Sequence, residues 1–218
     1  MKSLMMSIAL MASMNSYAKD YQSPVKEFKV TVINLTKGQP ITPPVLTVHS
    51  PKFKLFELGM PATKGLAVLA QDGVTSELVS ELEASKKVVR STTAEGVIMP
   101  GQKAELMIQA NDTRFKLSIV GMLARTNDAI VSATSLPTGL KKGQKYSTLA
   151  KVYDAGAETN TESCSQIPAP PCGNPMVGTN GGEGFVRPHE GLTGVGDLDP
   201  ARDAFSSVAA KIIVERVQ

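Results

Sequence analysis

The sequence predicts an all-β fold, an antiparallel β-sandwich, and three observations carry that prediction. Apolar and polar residues alternate over several short stretches, the two-residue period of a half-buried strand. Turn residues interrupt these stretches about every ten residues, a spacing too short for βαβ repeats. The length, 218 residues, suits one domain, with room for a long inserted loop.

The elements follow in chain order. In residues 27–35, Phe28, Val30 and Val32 alternate with Lys29 and Thr31, and Gly38 and Pro40 end the strand. Residues 45–49 form a second strand between Pro43-Pro44 and Pro51. One or two short helices come next. The first starts at Pro61 and runs to about Gln71, where Asp72-Gly73 turns the chain. The second is capped by Thr75, with Glu77 in its first turn and Leu78, Val79 and Leu82 on one face. Alternation returns in Ala104, Leu106 and Ile108 and again in Phe115, Leu117 and Ile119, and Ala110-Asn111-Asp112-Thr113 between them reads as a hairpin turn. Ile130-Val131, residues 145–153 and residues 209–217 complete the strands.

The N-terminus has the layout of an export signal over residues 1–18. Met1-Lys2 is positive, residues 4–12 are apolar, and Ser16-Tyr17-Ala18 predicts cleavage after Ala18. The apolar run is shorter than the ~20 residues that span a bilayer. The expected mature protein, residues 19–218, is therefore soluble and periplasmic or secreted. In an oxidising compartment, two cysteines favour a disulfide between Cys164 and Cys172, with a two-cysteine metal site as the lesser alternative. Residues 158–201 hold both cysteines, many Gly and Pro and little periodicity. They read either as disorder or as an insertion pinned over one end of the sandwich by the bridge, since a strand follows them.

The densest set of oxygen donors lies in TND at residues 126–128 and AKVYDAGAETNTE at residues 150–162. Oxygens on loops at strand tips suit Ca²⁺, which takes about 6–8 of them at about 2.3–2.6 Å in irregular geometry. Spacing alone leaves Asp154 and Asp128 either as ligands or as turn-forming residues that bond nearby N–H groups. Glu158 and Glu162 can reach the same region, though each reads better as part of a solvated loop face. Asp197 and Asp199 stand before Pro200 and read as a helix cap, not as a second metal site. His49 and His189 lack ligand partners at helical spacing and read as structural hydrogen-bonding groups.

The pieces FKVTVINLT (28–36), PPVLTVHSPKFKLFELG (43–59), LAVLAQDGVTSEL (66–78), TNDAIV (126–131), YDAGAETNTE (153–162) and HEGLTGVGDLDPA (189–201) resemble the spondin domain family. The sequence is similar to stand-alone bacterial exported members and lacks the modules that flank the domain in animal matrix proteins. The resemblance implies a sandwich like that of calcium-dependent phospholipid-binding domains, with one Ca²⁺ at one end. Carried over by motif, its ligands are Asp128, Asp154 and a main-chain carbonyl near Ala150. Here the first aspartate sits in ARTNDAIV, which lacks the proline and tryptophan of the animal members.

These features point to an exported, calcium-dependent binding or adhesion-type module without catalytic activity. Its partner is expected to be a protein or glycan of the envelope or outside the cell. The net charge of +3, the absence of Trp and the lack of long Lys/Arg runs argue against nucleic acid. There is no nucleophile elbow or dinucleotide fingerprint. The alternatives are an exported hydrolase using paired carboxylates, such as Asp154 with Glu158, or a metal-free structural envelope protein. Against the hydrolase, a general acid needs an apolar setting, and the flanking Thr, Asn and Gly are polar.

Overall fold

The structure is a computed structural model and describes residues 25–174 and 181–218. The expected signal and its cleavage site lie outside the described residues. Among the described residues nine strands form: β1 (Lys26–Asn34), β2 (Val45–His49), β3 (Val88–Thr93), β4 (Lys103–Ala110), β5 (Lys116–Met122), β6 (Ala129–Pro137), β7 (Lys145–Asp154), the two-residue β8 (Arg187–Pro188) and β9 (Val208–Arg216). They share one sheet, ordered β3-β2-β5-β6-β7-β9-β1-β4, with β8 attached to β7, and every pairing is antiparallel. The sheet folds over on itself. Phe28, Val30 and Val32 of β1, Leu46 and Val48 of β2, Leu106 and Ile108 of β4, Leu117 and Ile119 of β5 and Ile212 and Val214 of β9 fill one buried core. The all-β prediction holds.

Strand alternation explains which side chains enter that core. In β4 the even-numbered residues Leu106, Ile108 and Ala110 are buried and the odd-numbered Glu105, Met107 and Gln109 are exposed. Helices α1 (Lys64–Asp72) and α2 (Ser76–Ala84) pack on the outer face of β2, β5 and β6. There Leu66, Leu69, Leu78 and Leu82 join Val45, Val120, Met122 and Ile130 in a second core. Thr63 caps α1 by accepting from the Leu66 N–H, so the helix starts three residues after Pro61. Thr75 stands at the cap position of α2, but its side chain makes no cap hydrogen bond.

Two expectations about the elements need correction. Residues 110–113 do not close a hairpin: β4 pairs with β1, whereas β5 pairs with β2 and β6, so this connection crosses from one layer to the other. In addition β3, which local pattern did not reveal, pairs with β2. The long insertion runs from β7 to β9. It carries a 3₁₀ turn at Cys164–Gln166, β8, and the short helix α3 (Pro200–Asp203), which Asp199 caps through the Ala201 N–H. Cys164 and Cys172 are disulfide-bonded, with Cα atoms 4.8 Å apart. Among the described residues no helix is long and apolar enough to cross a membrane.

Candidate functional site

The β6–β7 register sets Ala129 opposite Asp154. That places Asp128, one residue before β6, beside the chain that leaves β7. Thr126 shapes the preceding turn: its hydroxyl donates to the Leu123 carbonyl and accepts from the Ala129 N–H. Asn127, itself buried, accepts from the Glu162 N–H at 3.1 Å. Asp128 reaches across the strand ends. Its Oδ2 accepts from the Ala157 N–H at 2.6 Å and the Glu158 N–H at 3.0 Å, and its carbonyl accepts from the Ala155 N–H. Its Oδ1 is buried with no hydrogen-bond partner.

Asp154 faces the same region from β7. Its Oδ1 accepts from the Gly156 N–H at 2.7 Å, the turn geometry that its position at a strand end allows. Its Oδ2 accepts from Asn160 Nδ2 at 2.7 Å and pairs with Arg187 Nη2 at 3.0 Å. Gly156 is required here. Its φ is +66°, and a Cβ would stand 2.3 Å from the Phe185 carbonyl oxygen. β8 brings Arg187 to Asp154, and the same guanidinium also pairs with Glu183 and Glu190.

The side chains of Asp128 and Asp154 are wholly buried, and Glu158 is 1% exposed. Burial, then the negative charge of Asp154, raises Asp128 to about 7. The two backbone N–H donors pull the other way, and Glu158 adds to the rise. Desolvated like charges disfavour ionisation, so Asp128 holds its proton to a higher pH than a free carboxyl does.

The other expected residues sort differently. Ala150 sits within β7 opposite Ala210, four residues from Asp154 and so about 13 Å along an extended strand, too far to share an ion with the aspartates. Glu158 and Glu162 do not form a solvated loop face: Glu162 is 3% exposed. Glu162 accepts from the Thr193 N–H, the Thr193 hydroxyl and the Gly194 N–H, and so fastens two parts of the insertion. Burial alone raises such a carboxyl, but these donors hold it below the usual range. His49 bonds Ser50 and Ser118. His189 Nδ1 accepts from the Gly191 N–H, and its ring packs edge-on against Phe205.

Sequence reasoning missed Arg187 and Asn160. Asn160 lay within the acidic stretch, six residues after Asp154. Arg187 carried no local signal, because only the β7–β8 pairing brings it to Asp154. Among the described residues, no three His, Cys, Asp or Glu side chains already stand in a metal-holding cluster. A small cavity beside the pair, about 60 Å³, is lined by Thr126, Asn127, Asn160, Arg187 and His189 among others, and not by Asp128, Asp154 or Glu158.

The family model described as Spondin_N matches residues 37–174, well over half of the chain. The matched span includes Asp128, Asp154, Glu158 and both cysteines, while Arg187 and strands β1 and β9 fall outside it. Compared with curated proteins, the chain has no match.

Proposed function

We propose that this chain, which belongs to the Spondin_N family, is an exported binding module without catalytic activity that holds one Ca²⁺ between Asp128 and Asp154. The observation that carries this reading is the buried carboxylate pair. Asp128 keeps one buried oxygen without a partner and resists ionisation beside Asp154. A hard cation supplies what such a pair lacks, and oxygen-rich loops meet its geometric tolerance. Asp128, Asp154 and the Glu158 carboxylate are the side chains that would hold it. Arg187 supplies part of the compensating charge at Asp154 and would share that carboxylate with the ion. An ion held there would act electrostatically, and Asp128 and Asp154 would join through it the turn before β6 and the chain after β7.

Export is supported by the disulfide and by the N-terminal pattern. A hydrolase reading needs substrate at the carboxylates, and the adjacent cavity does not reach them. The partner fits the description of an envelope or extracellular protein or glycan. The test is thermal unfolding in calcium and in chelator. At calcium a hundredfold above Kd, binding to the folded state alone stabilises by about 2.7 kcal/mol. A melting temperature that calcium leaves unchanged refutes the ion and favours a metal-free structural protein.

A further inference from the structure

Among the described residues the sheet has two free edges, and they face each other. Its path ends at β3 on one side and β4 on the other, each paired on one edge only. Between them lies a cleft of about 720 Å³ lined by residues 92–99 and 102–107. It continues into a second of about 250 Å³, which shares Thr92 and Met107 with the first. The Arg90 guanidinium donates to Gln109 Oε1 across the narrower end.

The direction of the free backbone groups follows from the ladders. The Asn34 N–H donates to the Gln102 carbonyl, so even-numbered residues of β4 turn their main-chain groups toward β1. Antiparallel residues alternate, so Lys103, Glu105, Met107 and Gln109 turn theirs toward the cleft. By the same reasoning the Ala94 N–H, which donates to the Pro44 carbonyl beside β2, leaves Ser91 and Thr93 facing the cleft from the other side. The β4 edge is eight residues long, contains no proline, and pairs with β1 without a bulge. Edges of that kind template further strands unless they are blocked.

We propose that this cleft docks one extended polypeptide segment of a partner protein, added as a strand between β3 and β4. Only a main chain offers a matching row of donors and acceptors to both edges. The side chains define its composition. Val97, Met99 and Met107 line the cleft at 53%, 49% and 47% exposure, and they favour apolar residues at alternate positions. Lys103 and Glu105 neutralise each other at 2.9 Å. Glu95 is the one remaining charge on the lining of the larger cleft, so it favours a single basic residue at one end of the segment.

The probe is a capped peptide, Lys-Thr-Val-Thr-Val-Thr-Val, added to the full mature chain, with amide signals followed by NMR. Binding should shift the amides of residues 91–93 and 103–109 and leave the aspartate site unmoved. N-methylation of alternate peptide amides, which removes donors and keeps every side chain, should weaken binding at least tenfold, and so should replacing the peptide's Lys with Glu. Met107→Pro removes an N–H that serves the cleft and none that serves β1, so it should abolish binding in a folded protein. Met107→Ala keeps the N–H and should retain most of the binding. Absence of binding, indifference to N-methylation, or equal affinity in Met107→Pro overturns the proposal. So does a dimer whose β3 and β4 amides are protected before peptide is added, because a second copy then fills the cleft.

Discussion

At the residue scale, Asp128 is the most informative side chain. It titrates at about 7 in the folded protein and near 4 in an unfolded chain. Between those values the folded state holds the extra proton, so this group makes stability fall as pH rises from about 4 to about 7. The size is a few kcal/mol at most. His49 and His189, both lowered by burial, act in the opposite sense, so the test is a difference: without calcium, wild type should lose stability relative to Asp128→Asn on going from pH 5 to pH 8. Asp128→Asn keeps an oxygen to accept from Ala157 and Glu158 and removes the charge. It should raise the calcium-free melting temperature at pH 8 and shrink the response to calcium. A melting profile equal to wild type at both pH values contradicts the raised carboxyl. Glu162 has another role. Glu162→Ala should cost about 1–3 kcal/mol in urea unfolding, because Thr193 and Gly194 lose their acceptor. Both aspartates were legible in the sequence, because strand-tip oxygens stand out locally. The burial of Glu158 and Glu162 was not. Glu162 meets Thr193 and Gly194 some thirty residues away, a closure that no local pattern announces.

At the element scale, alternation located β1, β4 and β5 to within a residue or two, and bounding prolines located β2. β3 escaped because VVRSTT sets two valines side by side and then turns polar. It is an edge strand and buries too little to alternate. The expected hairpin at residues 110–113 failed for a different reason. Turn residues say where the chain bends, and the partner of each strand is decided by the whole sheet. Helices α1 and α2 meet at Gly65, where an added Cβ would lie 2.6 Å from Leu78 Cα. Gly65→Ala should separate the helices and cost about 1–3 kcal/mol by overpacking. Gly96→Ala, which meets open space, should stay within about 0.5 kcal/mol of wild type. Equal unfolding midpoints for the two variants contradict that packing.

At the scale of the whole molecule, one sheet folds so that β6 and β7 form a closed seam while β3 and β4 leave the opposite side open. The candidate ion site sits at the end of the seam, where two loops from adjacent strands meet. The insertion that follows β7 returns through β8 to place Arg187 against Asp154. The fold class was legible because periodicity is a local property. Its closure was not, since that depends on pairings between distant segments. The central claim is that the buried aspartates bind calcium, and calorimetric titration tests it most directly. Wild type should bind one Ca²⁺ and release protons below pH 7, because Asp128 must ionise. Asp154→Ala, compared with the better-preserved Asp128→Asn, should lose at least tenfold in affinity, and so should Asp128→Asn. Calcium affinity in both variants equal to wild type, or no binding by the folded wild type, contradicts the account.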